Sequence, residues 1–104
     1  RPLAVDFMDL LAGSDYEIEE FQLSQDPLKF NKLSQRSLAK LQLGRRSGAM
    51  VLAIRDGSSL MANPSSEVEL APGQLLVVLG SKAQLIRLRE LLGEALDTIE
   101  RMAS

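Results

Sequence analysis

Residues 45–57, Arg-Arg-Ser-Gly-Ala-Met-Val-Leu-Ala-Ile-Arg-Asp-Gly, decide the fold, together with Asn63-Pro64 and residues 71–80, Ala-Pro-Gly-Gln-Leu-Leu-Val-Val-Leu-Gly. Two apolar runs, Ala49 to Ile54 and Leu75 to Leu79, are each bounded by Gly, Pro or Asp-Gly. Short apolar runs between turn residues read as buried strands. No polar residue interrupts Met50 to Ile54, which predicts an interior strand covered on both faces. Asp56-Gly57 then signals a hairpin, since a tight turn needs a residue tolerant of positive φ, and Ser59 to Ala62 returns as the next strand. Asn63-Pro64 breaks that strand, and Pro72-Gly73 turns the chain into another over Gln74 to Leu79. The expected core is Val51, Leu52, Ile54, Leu76, Val77, Val78 and Leu79, with alternate residues serving opposite faces of the sheet.

Helices flank these strands. Downstream, Ser81 with Gln84 three residues later forms a capping-box pattern. Leu85, Leu88, Leu92, Leu96 and Ile99 then trace one apolar stripe, which predicts a long C-terminal helix. Its end, from about Leu96 to Met102, either meets a second copy or the rest of a parent protein, or frays. Upstream, Ser37 is the expected N-cap of a short helix reaching Leu43, with Leu38 and Leu41 inward and Gly44 as its stop. Asp26-Pro27 opens a polar loop. Residues 17–23, Glu-Ile-Glu-Glu-Phe-Gln-Leu, read as a strand in which Phe21 and Leu23 alternate while Ile18 has the other parity. A bulge near Glu19-Glu20, or a strand end apolar on both faces, reconciles them. Leu3, Ala4, Phe7, Met8 and Leu11 share a helical face ahead of Gly13, the expected left-handed cap.

The fold class is therefore α+β: a small mixed, mainly antiparallel sheet with a short helix, a long C-terminal helix and a leading helix. Residues 1–14 read as a connector helix from a missing preceding domain, and 15–104 as the domain proper. The other reading is a self-contained domain whose first helix covers its own sheet.

At 104 residues, 45% hydrophobic and 25% charged, the chain can build one core and is not composed like a disordered segment. It has no Cys and no His, which excludes disulfides, thiolate metal sites and the commonest zinc ligand and general base. It carries no G-x-S-x-G elbow, P-loop or G-x-G-x-x-G. Gly44-Arg-Arg-Ser-Gly48 lacks P-loop spacing and is expected only to turn the chain from helix into strand. An enzyme is not expected. No apolar run approaches the ~20 residues that cross a bilayer, so direct membrane insertion is not expected either.

The net charge of −2 conceals a strong sorting of charge. Residues 27–55 hold seven bases (Lys29, Lys32, Arg36, Lys40, Arg45, Arg46, Arg55) and no acid, whereas residues 1–26 hold seven acids and one base. Such a basic block attracts an anionic ligand, or else pairs with the acidic first segment across the fold. Phe30 is its single aromatic, which leaves no stacking platform, so nucleic acid is not an expected partner. Arg55, at the end of a strand, can grip phosphate through two parallel hydrogen bonds. Asn63 across the hairpin offers an amide to a base edge, with Val51 and Leu52 as the apolar wall; alternatively Arg55 pairs with an acid and Asn63 caps a turn. Asp15, Glu17, Glu19 and Glu20 crowd oxygen ligands of the kind hard cations take, or are solvated edge charges that discourage sheet-to-sheet association.

The string Arg45-Arg46-x-Gly48-x-x-Val51-Leu52-Ala53-Ile54-Arg55, followed by Asn63-Pro64, resembles the C-terminal domain of the regulator-of-potassium-conductance family (RCK-C, also called TrkA-C). The resemblance extends from about Ile18 to Leu92. It implies a cytoplasmic ligand-sensing and dimerisation domain that regulates potassium transport, as a homodimer joined to an N-terminal RCK domain and the membrane pore of a channel or transporter. In some relatives this region holds cyclic di-AMP at a two-fold interface, which carries over to Val51, Leu52, Arg55 and Asn63. The sequence departs from that pattern in having no aromatic or His there to stack on a purine. Some relatives are calcium-activated, which bears on the four acids. A purely structural dimerisation module without a ligand is the alternative.

Overall fold

The structure, a computed structural model, describes residues 3–97, with side chains from residue 7 onward. Four strands form one sheet in the order β1-β4-β2-β3, where β1 is Tyr16–Gln22, β2 Met50–Asp56, β3 Ser59–Ala62 and β4 Leu75–Ser81. Every pairing among them is antiparallel, so the mainly antiparallel sheet expected from the sequence is wholly antiparallel. Gly57, with φ 61°, leads the two-residue turn that joins β2 to β3, as the Asp-Gly signal required.

One face of the sheet is covered. Phe21, Ile54, Leu76 and Val78 pack there against Leu85, Leu88 and Leu92 of the C-terminal helix, with Leu23 and Phe30 closing the same core. Leu76 and Val78 are wholly inaccessible to solvent. Burial alternates along β4, so Val77 and Leu79 turn to the opposite face and are only half-buried. Val51 and Leu52 are also half-buried, and Met50 is exposed. The expectation of cover on both faces fails for a simple reason: among the described residues only the leading helix borders that side, with Phe7, Leu10 and Leu11 beside Tyr16 and Leu79. It leaves Met50 exposed and Val51 and Leu52 half-buried, and an uninterrupted apolar run does not reveal how far a second layer extends.

The strand irregularity is real but sits elsewhere. β1 keeps register with β4 from Tyr16↔Ser81 to Gln22↔Leu75, and Ile18 lies on the open face opposite Leu79. The bulge is in β2, where Val51↔Val78 is followed by Ala53↔Val77 and Leu52 is the extra residue.

Five α-helices accompany the sheet in the described residues: α1 Leu3–Ala12, α2 Pro27–Phe30, α3 Leu38–Leu41, α4 Leu43–Ser47 and α5 Lys82–Leu92. Asp26 caps α2 by accepting from Leu28 N–H at 2.9 Å, so the expected polar loop opens with a helical turn. Ser37 caps α3 as expected, but Gly44 does not stop the helix. Gln42, at φ 52°, ends α3, and α4 runs through Gly44 to a left-handed Gly48 at φ 86°. Residues 44–47 are thus helical, with Gly48 as the cap, rather than a simple turn. Gly13 is not left-handed; instead Ser14 Oγ donates to Leu11 C=O and accepts from Tyr16 N–H.

The capping box of Ser81 and Gln84 is fully formed. Yet α5 ends at Leu92, a 3₁₀ turn follows over Gly93–Ala95, and Leu96 bridges to Leu23 in the core. The predicted stripe is therefore two pieces, divided at Gly93, whose φ of 52° turns the chain out of the helix and into the pairing with Leu23. Ile99 and Met102 lie outside the described residues.

Candidate ligand site

The start of β2 is framed by α3, α4 and the loop after β3, which enclose an open cleft of about 400 Å³ lined among others by Leu38, Leu43, Gly48, Met50, Val51 and Pro64. Local hydrogen bonds shape its walls. Buried Ser47 donates from Oγ to Leu43 C=O at 2.6 Å and accepts from Ala49 N–H at 3.0 Å. Arg87 on α5 donates to Ser47 C=O through Nε at 3.2 Å and Nη2 at 3.0 Å, which ties α4 to α5. The opposite wall is held because Leu38 N–H donates to Val68 C=O at 2.9 Å and Ala39 N–H to Ser66 C=O at 2.8 Å. Asn63, left-handed at φ 49°, donates its N–H to Leu52 C=O at 2.7 Å.

The four residues expected to hold an anion divide between two sides of the sheet. Val51 lines the cleft. Leu52 is the bulged residue and is tied to Asn63 through the backbone. Arg55 pairs with Leu75 and Leu60 on the open face, is exposed, and makes no ion pair with a described residue. In a regular strand Val51 and Arg55, four positions apart, share a face. The extra residue at Leu52 reverses that parity, so a single chain does not gather all four into one concavity. Met50, Gly48 and Pro64 join Val51 instead. The Asn63-Pro64 break was their signal in the sequence.

The four acids do not converge. Glu17 and Glu19 project to the helix-covered side and Glu20 to the open side, since Glu19 pairs with Val78 and Glu20 with Val77. Glu19 is bonded to Arg89, whose guanidinium lies 4.8 Å from the centroid of the Phe21 ring. Among the described residues no group of three or more Asp or Glu is placed to hold a metal ion. In the basic block Arg36 lies over buried Phe30 at 5.1 Å and donates to Asn31 Oδ1. The ring is therefore a support for arginine and is not presented to solvent.

The model of the TrkA-C domain matches residues 27–93. The chain belongs to the TrkA-C domain family. No curated protein matches it by sequence. Solved structures of the same fold include the RCK C domain of the potassium transport protein KtrA in complex with cyclic di-AMP, 20% identical over 85% of this chain and 94% of that one, with a TM-score of 0.69. A second is the RCK_C domain dimer of Streptococcus agalactiae BusR with cyclic di-AMP, 17% identical over 72% of this chain and 93% of that one, TM-score 0.60. BusR has also been solved with its busAB-promoter DNA, where the match covers 44% of that chain at 18% identity and a TM-score of 0.61. The GsuK RCK domain matches at 16% identity and TM-score 0.59, over 86% of this chain and 19% of that one. At these identities the likeness establishes the TrkA-C fold and no more. No described helix is long and apolar enough to cross a membrane.

Proposed function

We propose that this TrkA-C domain is a cytoplasmic, ligand-sensing dimerisation module that regulates potassium transport by a channel or transporter and performs no chemistry of its own. The observation that carries this reading is the open face of the sheet. Ile18, Met50 and Leu60 are exposed there, Val77 and Leu79 are half-buried, and Arg55 stands among them. Contiguous apolar surface of this kind on a small domain marks an interaction site. Two such faces packed about a two-fold axis exclude water from the apolar residues and bring two Arg55 guanidiniums to one interface. A cyclic dinucleotide such as cyclic di-AMP presents two phosphates to match them, and this ligand is bound by the KtrA and BusR domains of the same fold. Leu52 and Asn63 stand at the open end of the hairpin, beyond the Ala53↔Ala62 pair and away from the turn beside Arg55, while Val51 lines the cleft on the other side. α1 serves as the connector to a preceding RCK domain, through which a ligand-dependent shift in dimer geometry reaches the pore.

Light scattering at micromolar concentration is expected to report twice the 11.4 kDa mass of the chain. Each charge-assisted hydrogen bond to phosphate is typically worth about 1.5–3 kcal/mol. Arg55→Ala should therefore weaken cyclic di-AMP binding at least tenfold in calorimetry while the dimer persists. A monomer at that concentration, or a variant that binds as the wild type does, refutes the reading. One observation favours the purely structural dimer instead: Val51 and Arg55 stand on opposite faces. Dimerisation with no heat of binding from any cyclic dinucleotide would select it.

A further inference from the structure

We infer a second ligand site, on the other side of the sheet from Arg55, that takes a small organic ammonium ion with an apolar body. An open cleft of about 470 Å³ lies between the β2–β3 hairpin and the chain returning to β4, lined chiefly by Ile54, Asp56, Met61, Val68 and Gln74. Ile54 and Met61 face each other across the hairpin, so the cleft continues the edge of the core. Ile54 is buried, Val68 half-buried and Met61 47% exposed, which leaves an apolar wall open to solvent.

The polar end of the cleft is built. Gln74 is a buried amide that uses both of its ends: Oε1 accepts from Ala71 N–H at 2.8 Å, and Nε2 donates to Asp56 Oδ2 at 3.2 Å. The Asp56 carboxylate, itself exposed, is thereby tethered to the cleft through Oδ2, and Oδ1 accepts no hydrogen bond from a described residue. A tethered carboxylate beside apolar walls suits a charge-assisted hydrogen bond from an ammonium whose carbon chain lies in the cleft. The local charge has the same sense, because residues 56–74 contain Asp56, Glu67 and Glu69 but no Lys or Arg. An anion meets the carboxylate and is repelled. A hard metal ion finds one acid where it needs several oxygen ligands. Asp56 and Arg55 are neighbours in sequence, yet they face opposite sides of the sheet, so the polar end of this site lies away from the proposed dimer face, and Leu60 at the hairpin edge borders both.

Amide-correlation NMR of the protein titrated with hexylammonium tests the site, with hexanol and ammonium chloride as separate arms. Hexylammonium should shift the Gln74 side-chain amide and the Met61 and Val68 backbone amides saturably. It should bind at least tenfold more tightly than hexanol, and ammonium alone should produce no such shifts. Asp56→Asn keeps an acceptor for Gln74 but removes the charge, and should weaken binding at least tenfold. Val68→Phe, which fills the cleft, should abolish binding, and Arg55→Ala should leave it unchanged. Equal affinity for hexanol, an unaffected Asp56→Asn, shifts centred on Leu79 and Ile18 of the open face, or no saturable shift at all would each overturn the inference.

Discussion

Replacing Gly48 by Ala tests how α4, the start of β2 and α5 are locked together. Gly48 has φ 86°, a left-handed conformation that costs an L-residue roughly 1–2 kcal/mol. The added Cβ falls 2.8 Å from Gln84 Nε2 and 3.3 Å from its Cδ and Cγ, so the Gln84 side chain must swing away. That movement breaks the acceptance of Ser81 N–H by Gln84 Oε1 at 2.9 Å, one half of the capping box of α5. A lost hydrogen bond of this kind costs about 0.5–1.5 kcal/mol. The expected destabilisation is about 2–3 kcal/mol in all, and at about 4–8 °C per kcal/mol for a domain of this size it should appear as a large fall in Tm. Thermal and urea unfolding of Gly48→Ala, Gln84→Ala and the double variant measure it. With Gln84 already truncated, Gly48→Ala should cost only its backbone share, so the double variant should be about 1 kcal/mol more stable than the sum of the two singles predicts. Strict additivity would refute the reasoning, because it would mean that Gly48 is required for its backbone alone.

The remaining expectations concern the two faces of the sheet and a cap. Leu76→Ala, at a wholly buried position, should cost about 2–5 kcal/mol in urea unfolding, whereas Leu79→Ala on the open face should cost less than half as much when measured on dilute monomer; equal costs would mean that both faces are covered. Asp26→Ala removes the acceptor for Leu28 N–H and should cost about 1 kcal/mol, and a neutral result would show that α2 is held by Phe30 packing alone.

What the sequence determined by itself was local. Ser81 with Gln84, Ser37 before Leu38, Asp56-Gly57 and the apolar run from Leu75 to Leu79 placed a capped helix, a second cap, a hairpin and a strand, because each of these is settled by residues within about one turn of one another. The RCK-like string from Arg45 to Arg55 with Asn63-Pro64 was legible for the same reason. Tertiary structure decided the features that depend on pairing between distant segments. The bulge at Leu52 exists only in the register of β2 against β4, and it alone sends Val51 and Arg55 to opposite faces. α5 stops at Leu92 with Gly93, at φ 52°, as its cap, and Leu96 beyond it bridges to Leu23, a partner that no helical stripe reveals. Glu19 left the acidic cluster because folding brought Arg89 to it. Asp56 acquired its tether from Gln74, eighteen residues away and buried on the neighbouring connection, so the cleft between them had no sequence signal at all.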